Sequence, residues 1–137
     1  MEPAPWSPSL SGSAAASSID GNPTAISCPT STLCAIVNGS GVSYRNDSTT
    51  WSPVQTIDPG GTLDAISCPQ PSFCLAADAN GSIVTWDGTG WAPPVKVIPA
   101  ATNYTGVGTS VSCPSAAFCM VIDGDGDYAT YSDSTVG

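Results

Sequence analysis

The 137-residue chain is only 9% charged, where a soluble domain ordinarily carries roughly 25%, and it has no histidine, one arginine (Arg45), one lysine (Lys96) and one glutamate (Glu2). That inventory excludes histidine-dependent catalysis, histidine metal sites and arginine-clustered anion sites, and a net charge of −9 opposes binding to nucleic acid or anionic lipid. Twenty serines, 14 threonines, 14 glycines and 13 prolines favour strands and turns over helix, and no apolar run approaches the roughly 18 residues that would cross a bilayer. The start Met1-Glu2-Pro3 has neither a basic nor an apolar leader region, so an exported chain is expected to have had its signal removed.

In chain order the landmarks fall into a repeat. Trp6 stands first, 22 residues before Cys28. Then come Ser27-Cys28-Pro29, Leu33-Cys34, the turn Asn38-Gly39-Ser40-Gly41 and Trp51. The same series returns as Ser67-Cys68-Pro69, Phe73-Cys74, Asp78-Ala79-Asn80-Gly81 and Trp91. A third copy runs through Ser112-Cys113-Pro114, Phe118-Cys119 and Asp123-Gly124-Asp125-Gly126, with Val136 where the tryptophan is due. First cysteines lie 40 and 45 residues apart, a period of four-stranded propeller blades. We therefore expect an all-β propeller in one domain over residues 1–137, with repeats at approximately 6–50, 51–90 and 91–137.

Each unit reads as four short strands, in the middle copy around 63–68, 73–78, 82–87 and 91–98, separated by Asn, Asp, Gly and Pro turns. Strand two is apolar on both faces (Ala35-Ile36-Val37, Leu75-Ala76-Ala77, Met120-Val121-Ile122), as a strand between two neighbouring sheets would be. Counting places Asn46, Trp86 and Tyr131 at one position, five residues after the turn glycine. The third copy stops short of its fourth strand, and the segment from Trp6 to Leu10 matches that strand in phase.

For the cysteines a metal site and a structural disulfide compete. No histidine and no second close pair is available within a unit to complete a zinc site. Antiparallel partners at the ends of strands one and two bring their Cα atoms within disulfide range. The expected pairs are Cys28–Cys34, Cys68–Cys74 and Cys113–Cys119, each worth about 2–2.5 kcal/mol by chain entropy. Such bonds point to a secreted, extracellular protein.

The Ser-Cys-Pro hairpins at 27–29, 67–69 and 112–114, with Trp6, Trp51 and Trp91, resemble the secreted β-propeller repeats of actinobacterial exported proteins and receptor-kinase ectodomains. In assembly the chain is similar to the small bacterial and fungal propeller lectins, whose few-bladed chains oligomerise around sugar sites between blades, although the Arg and Glu beside Trp of the fucose-specific members are absent. Three four-stranded blades do not close a ring of four to eight, so a homodimer of six blades is expected, the alternative being a piece of a longer chain.

The resemblance is specific for fold, since propellers host many unrelated activities, and it is the residue inventory, without histidine and with one arginine, that leads to the expectation of a non-enzymatic binding module. The leading expectation is lectin-like carbohydrate binding at Trp86, Asp87, Tyr131, Asn46 and Asp47, where a ring beside a carboxylate suits a sugar, with the recurrent Trp6, Trp51 and Trp91 as stacking platforms or packing anchors. The alternative is a protein-binding or sensor ectodomain. Asp123, Asp125 and Asp127 have the opening spacing of a calcium loop, but Ser134 stands where its closing acid belongs, which leaves a weak metal candidate and no implied cofactor.

Overall fold

The computed structural model describes residues 22–45, 51–98 and 109–132. Among these there is no helix, and eleven strands form three antiparallel sheets. The first sheet is the meander β1 (Pro23–Ser27), β2 (Cys34–Asn38), β3 (Gly41–Arg45) and β4 (Gln55–Thr56). The second repeats it with β5 (Leu63–Gln70), β6 (Phe73–Asp78), β7 (Ser82–Trp86) and β8 (Val95–Lys96). The third has β9 (Ser110–Ser115), β10 (Phe118–Ile122) and β11 (Tyr128–Ser132).

The expected pairing of the cysteines is present in all three sheets. Ser27 faces Ala35, Ser67 faces Leu75 and Ser112 faces Met120, so the next pair in each register is the two cysteines. Their Cα atoms lie 4.0–4.1 Å apart in Cys28–Cys34, Cys68–Cys74 and Cys113–Cys119, and no described cysteine is free.

Successive sheets stack face to face. Ala35, Val37 and Val42 of the first pack against Ile66, Cys74, Ala76 and Val84 of the second. The other side of the second sheet, with Phe73, Leu75, Ala77 and Ile83, packs against Cys119, Val121 and Ala129 of the third. Because alternate side chains of a strand point to opposite faces, a strand covered on both sides must be apolar throughout, and β6 is buried along its whole length. The expectation of two apolar, covered faces on strand two fails only in β10, where exposed Phe118, Met120 and Ile122 alternate with buried Cys119 and Val121. No sheet lies against that side among the described residues.

Two further expectations are corrected by backbone chemistry. The fourth strand foreseen at 91–98 shrinks to Val95–Lys96 plus a single bridge from Trp91 to Trp86, because Pro93 and Pro94 have no N–H to give a ladder. The first hairpin is one residue shorter than the other two: Cys34 faces Arg45, whereas Cys74 faces Trp86 and Cys119 faces Tyr131. Arg45, not Asn46, therefore shares the register position of Trp86 and Tyr131. The left-handed turn residue of the short hairpin is Gly39 (φ 62°), while Gly41 is required for a different reason, since a Cβ there would lie 2.3 Å from Val54 Cγ1. Trp6, Asn46, Asp47 and the proposed strand at 6–10 lie outside the described residues.

Candidate functional site: an aromatic groove between the first two sheets

The two sheet junctions are built from equivalent positions and filled differently. At the second junction Phe73, which precedes Cys74, stacks on Tyr131 with ring centres 5.5 Å apart and planes at 24°. At the first junction the equivalents are Leu33 and Trp86. Leucine is the smaller side chain, and a groove of about 650 Å³ opens there, lined by Leu33, Tyr44, Trp51, Pro53, Pro71 and Trp86 beside Cys68 and Cys74.

Its walls are held from behind. Trp86 lies 6.0 Å from Tyr44 and 5.8 Å from Trp91, centre to centre, and its indole N–H donates to the Pro71 carbonyl at 3.2 Å. Trp91 donates its own indole N–H to the Tyr44 hydroxyl, tying the second sheet to the first. Burial pushes the Tyr44 phenol up to about 12, partly offset by that indole bond, so it stays protonated at any physiological pH. Ser52 fixes the lip, its amide donating to the Tyr44 carbonyl and its Oγ accepting from the Tyr44 amide.

The residues singled out in the sequence are thus divided. Trp86, Trp91 and Trp51 come together at the first junction, and Tyr131 belongs to the second. Asp87 Oδ1 accepts from the Thr89 amide, the Thr89 hydroxyl and the Gly90 amide, which hold this exposed carboxyl below the usual carboxylate range. That oxygen caps a turn. Tyr44 had no repeat phase to mark its importance, and Leu33 was distinguished only by being a leucine where the other copies have phenylalanine.

The carboxylates of Asp123, Asp125 and Asp127 present ligand atoms within 4.8 Å of one another, so a cation is sterically within their reach. Asp123 Oδ1 already accepts from the Asp125 and Asp127 amides, as Asp78 Oδ1 accepts from Asn80 and Ser82 in the preceding hairpin. A second acidic group went unmarked in the sequence. Asp58, after β4, is 4% exposed beside Asp78, 2% exposed, and burial followed by the hydrogen bond and repulsion from Asp78 pushes Asp58 up to about 7. Burial and the Asp78 charge also raise Asp64.

No protein-family model matches the chain, and no curated protein matches it in sequence. Solved structures do. YCF48 bound to D1 peptide aligns with a TM-score of 0.64 at 14% identity, over 83% of this chain and 38% of that one. YCF48 from Cyanidioschyzon merolae aligns with a TM-score of 0.60 at 16% identity, over 88% of this chain and 41% of that one. The likeness establishes a β-propeller fold, and the chain spans about two fifths of the length of these neighbours.

Proposed function

We propose that the chain is a non-enzymatic binding module that holds an extended, apolar or proline-containing peptide in the groove between its first two sheets. The observation that carries this reading is the groove's lining: three aromatic residues and three prolines, Pro29, Pro53 and Pro71, around one leucine, with the indole N–H of Trp86 in the wall and that of Trp91 behind it already bonded within the protein. Flat aromatic walls suit proline and aliphatic side chains, which lose little conformational entropy on docking. A sugar needs several free hydrogen-bonding groups around a ring, and here the best-placed ones are engaged. Lectin-like binding at Trp86 and Asp87 is accordingly the lesser reading. One of the propeller neighbours was solved with a bound peptide, which fits the same mode. Three disulfides are compatible with an oxidising compartment, and export to the cell exterior follows as part of the proposal.

The test pans a library of unstructured displayed peptides and a glycan array against the purified protein and its Leu33→Phe variant. A phenylalanine there reproduces the Phe73–Tyr131 stack against Trp86 and fills the groove. Enriched peptides that lose at least tenfold in affinity against the variant support the reading. Glycan binding that survives Leu33→Phe but is lost in Asp87→Ala, with no peptide enriched, restores the carbohydrate reading.

A further inference from the structure

The turn that joins the first sheet to the second holds a chemistry the groove does not use. Asp58-Pro59 is the one Asp-Pro bond in the sequence, and Asp-Pro is the peptide bond most easily broken by acid. The proline nitrogen is more basic than other amide nitrogens and leaves more readily, while the aspartyl carboxyl can close on its own carbonyl carbon as a cyclic anhydride.

The fold holds these parts together. The Gly61 amide donates to the Asp58 carbonyl at 2.9 Å and Gly60 has φ 78°, the arrangement of a type II turn with Pro59 at its first corner. The Asp58 side chain is folded back over that turn. A Cβ on Gly61 would lie 2.0 Å from Asp58 Oδ2 and 2.5 Å from its Cγ, so the carboxyl rests against the residue whose amide grips its own carbonyl. Oδ2 is buried with no hydrogen-bond partner among the described residues, and the Asp58 amide, donating to the Ser40 carbonyl at 2.9 Å, anchors the residue to the hairpin of the first sheet. Pro59 and Gly60 are exposed, so water reaches the turn from outside.

The surroundings keep the carboxyl undissociated. Its titratable neighbours are Asp78, at the end of β6, which hydrogen-bonds to it, and Asp64 of β5, which feels the Asp78 charge. Both are acids. Burial, then the hydrogen bond to Asp78 and its repulsion, push Asp58 up to about 7, so the form that carries a proton for the leaving nitrogen persists to neutrality, whereas an ordinary aspartate loses it near pH 4.

We propose that the folded chain cleaves its own Asp58–Pro59 bond in mildly acidic to neutral water. Oδ2 of Asp58 bonds to the Asp58 carbonyl carbon, and the charge that develops on the carbonyl oxygen is met by the Gly61 N–H. The C–N bond to Pro59 breaks, and the carboxyl proton, released as the anhydride forms, passes to the proline nitrogen. Water then opens the anhydride to two carboxyl groups, so the sum is hydrolysis with water as the co-reactant. No disulfide crosses the cut, since Cys28–Cys34 lies before it and Cys68–Cys74 and Cys113–Cys119 after it. The products are Met1–Asp58 and Pro59–Gly137, still packed together at the junction of the first two sheets.

The experiment holds the purified full chain at pH 6 for several days, in native buffer and in concentrated guanidinium chloride, and follows the intact mass. Asp58→Ala and Pro59→Ala are run beside it, each checked for retained β-sheet circular dichroism; Pro59→Ala keeps the carboxyl and carries the comparison where Asp58→Ala does not fold. The native wild type is expected to give the two fragments about tenfold faster, or more, than the denatured chain, whose Asp58 is ionised at that pH. Its rate should fall about tenfold from pH 6 to pH 8 as the folded carboxyl ionises, and both variants should stay whole. A native chain that stays whole overturns the proposal. Cleavage as fast in guanidinium also overturns it, because it marks only the ordinary lability of the bond, as does cleavage that survives in a folded variant or begins at another bond.

Discussion

Below pH 7 the folded chain keeps on Asp58 a proton that an unfolded aspartate releases near pH 4, because the carboxyl is buried against Asp78 and Gly61 passes so close that a Cβ there would lie 2.0 Å from Asp58 Oδ2. The sign follows from linkage. A carboxyl whose pKa is raised on folding favours the folded state at low pH, and that contribution disappears as the pH climbs from about 4 to about 7, where the folded state must ionise as well. We expect the melting temperature to be higher at pH 5 than at pH 8 by roughly 5–10 °C at constant ionic strength. The net charge of −9 pushes in the same direction, so the comparison with Asp58→Asn carries the test. That variant should lose most of the pH dependence between 5 and 7, and an unchanged profile would show that the general charge alone is responsible.

At the scale of the strand and hairpin, the stack depends on bonds that cross from sheet to sheet as well as on apolar contact. Ser67 is the acceptor for the Cys113 amide at the second junction, so Ser67→Ala should strand a buried N–H and cost about 1–2 kcal/mol in denaturant unfolding. Ser112→Ala has no such partner within the described residues and should leave the stability of a single chain unchanged; equal losses in the two variants would mean that the serines matter only inside their own sheets. The disulfides and the meander were readable because both follow from short-range spacing: a five-residue gap between cysteines and a turn every ten residues or so leave few other arrangements. Arg45 was missed for a local reason. Asn38-Gly39-Ser40-Gly41 offers two glycines, and counting aligned Gly41 with Gly81, while the positive φ belongs to Gly39 and the hairpin is one residue shorter. The groove was missed for a long-range reason, since a leucine in place of phenylalanine at position 33 has no meaning until it is known that this position faces the next sheet at the height of Trp86. Asp58 was hidden in the same way, because its partner Asp78 is 20 residues distant and belongs to the next sheet.

For the molecule as a whole, charge decides which peptides reach the groove even though the groove itself is apolar. Ten aspartates and one glutamate set against a single lysine and a single arginine give the chain a net negative charge, whereas the groove's lining residues carry none. Long-range attraction acts on the encounter and short-range packing on the residence time, so the two are separable in kinetics. A groove-binding peptide extended by three lysines outside its contact segment should associate about tenfold faster at low salt than the same peptide extended by three glutamates, with little difference in dissociation rate. Raising the salt to 0.5 M should bring the two association rates together, since the screening length then falls to a few ångströms, well under the 10 Å of 0.1 M salt. Surface plasmon resonance across a salt series measures both rates. Equal association rates at low salt would show that the field at the groove is not the one the net charge implies, and a difference confined to dissociation would place the lysines in direct contact with aspartates at the rim.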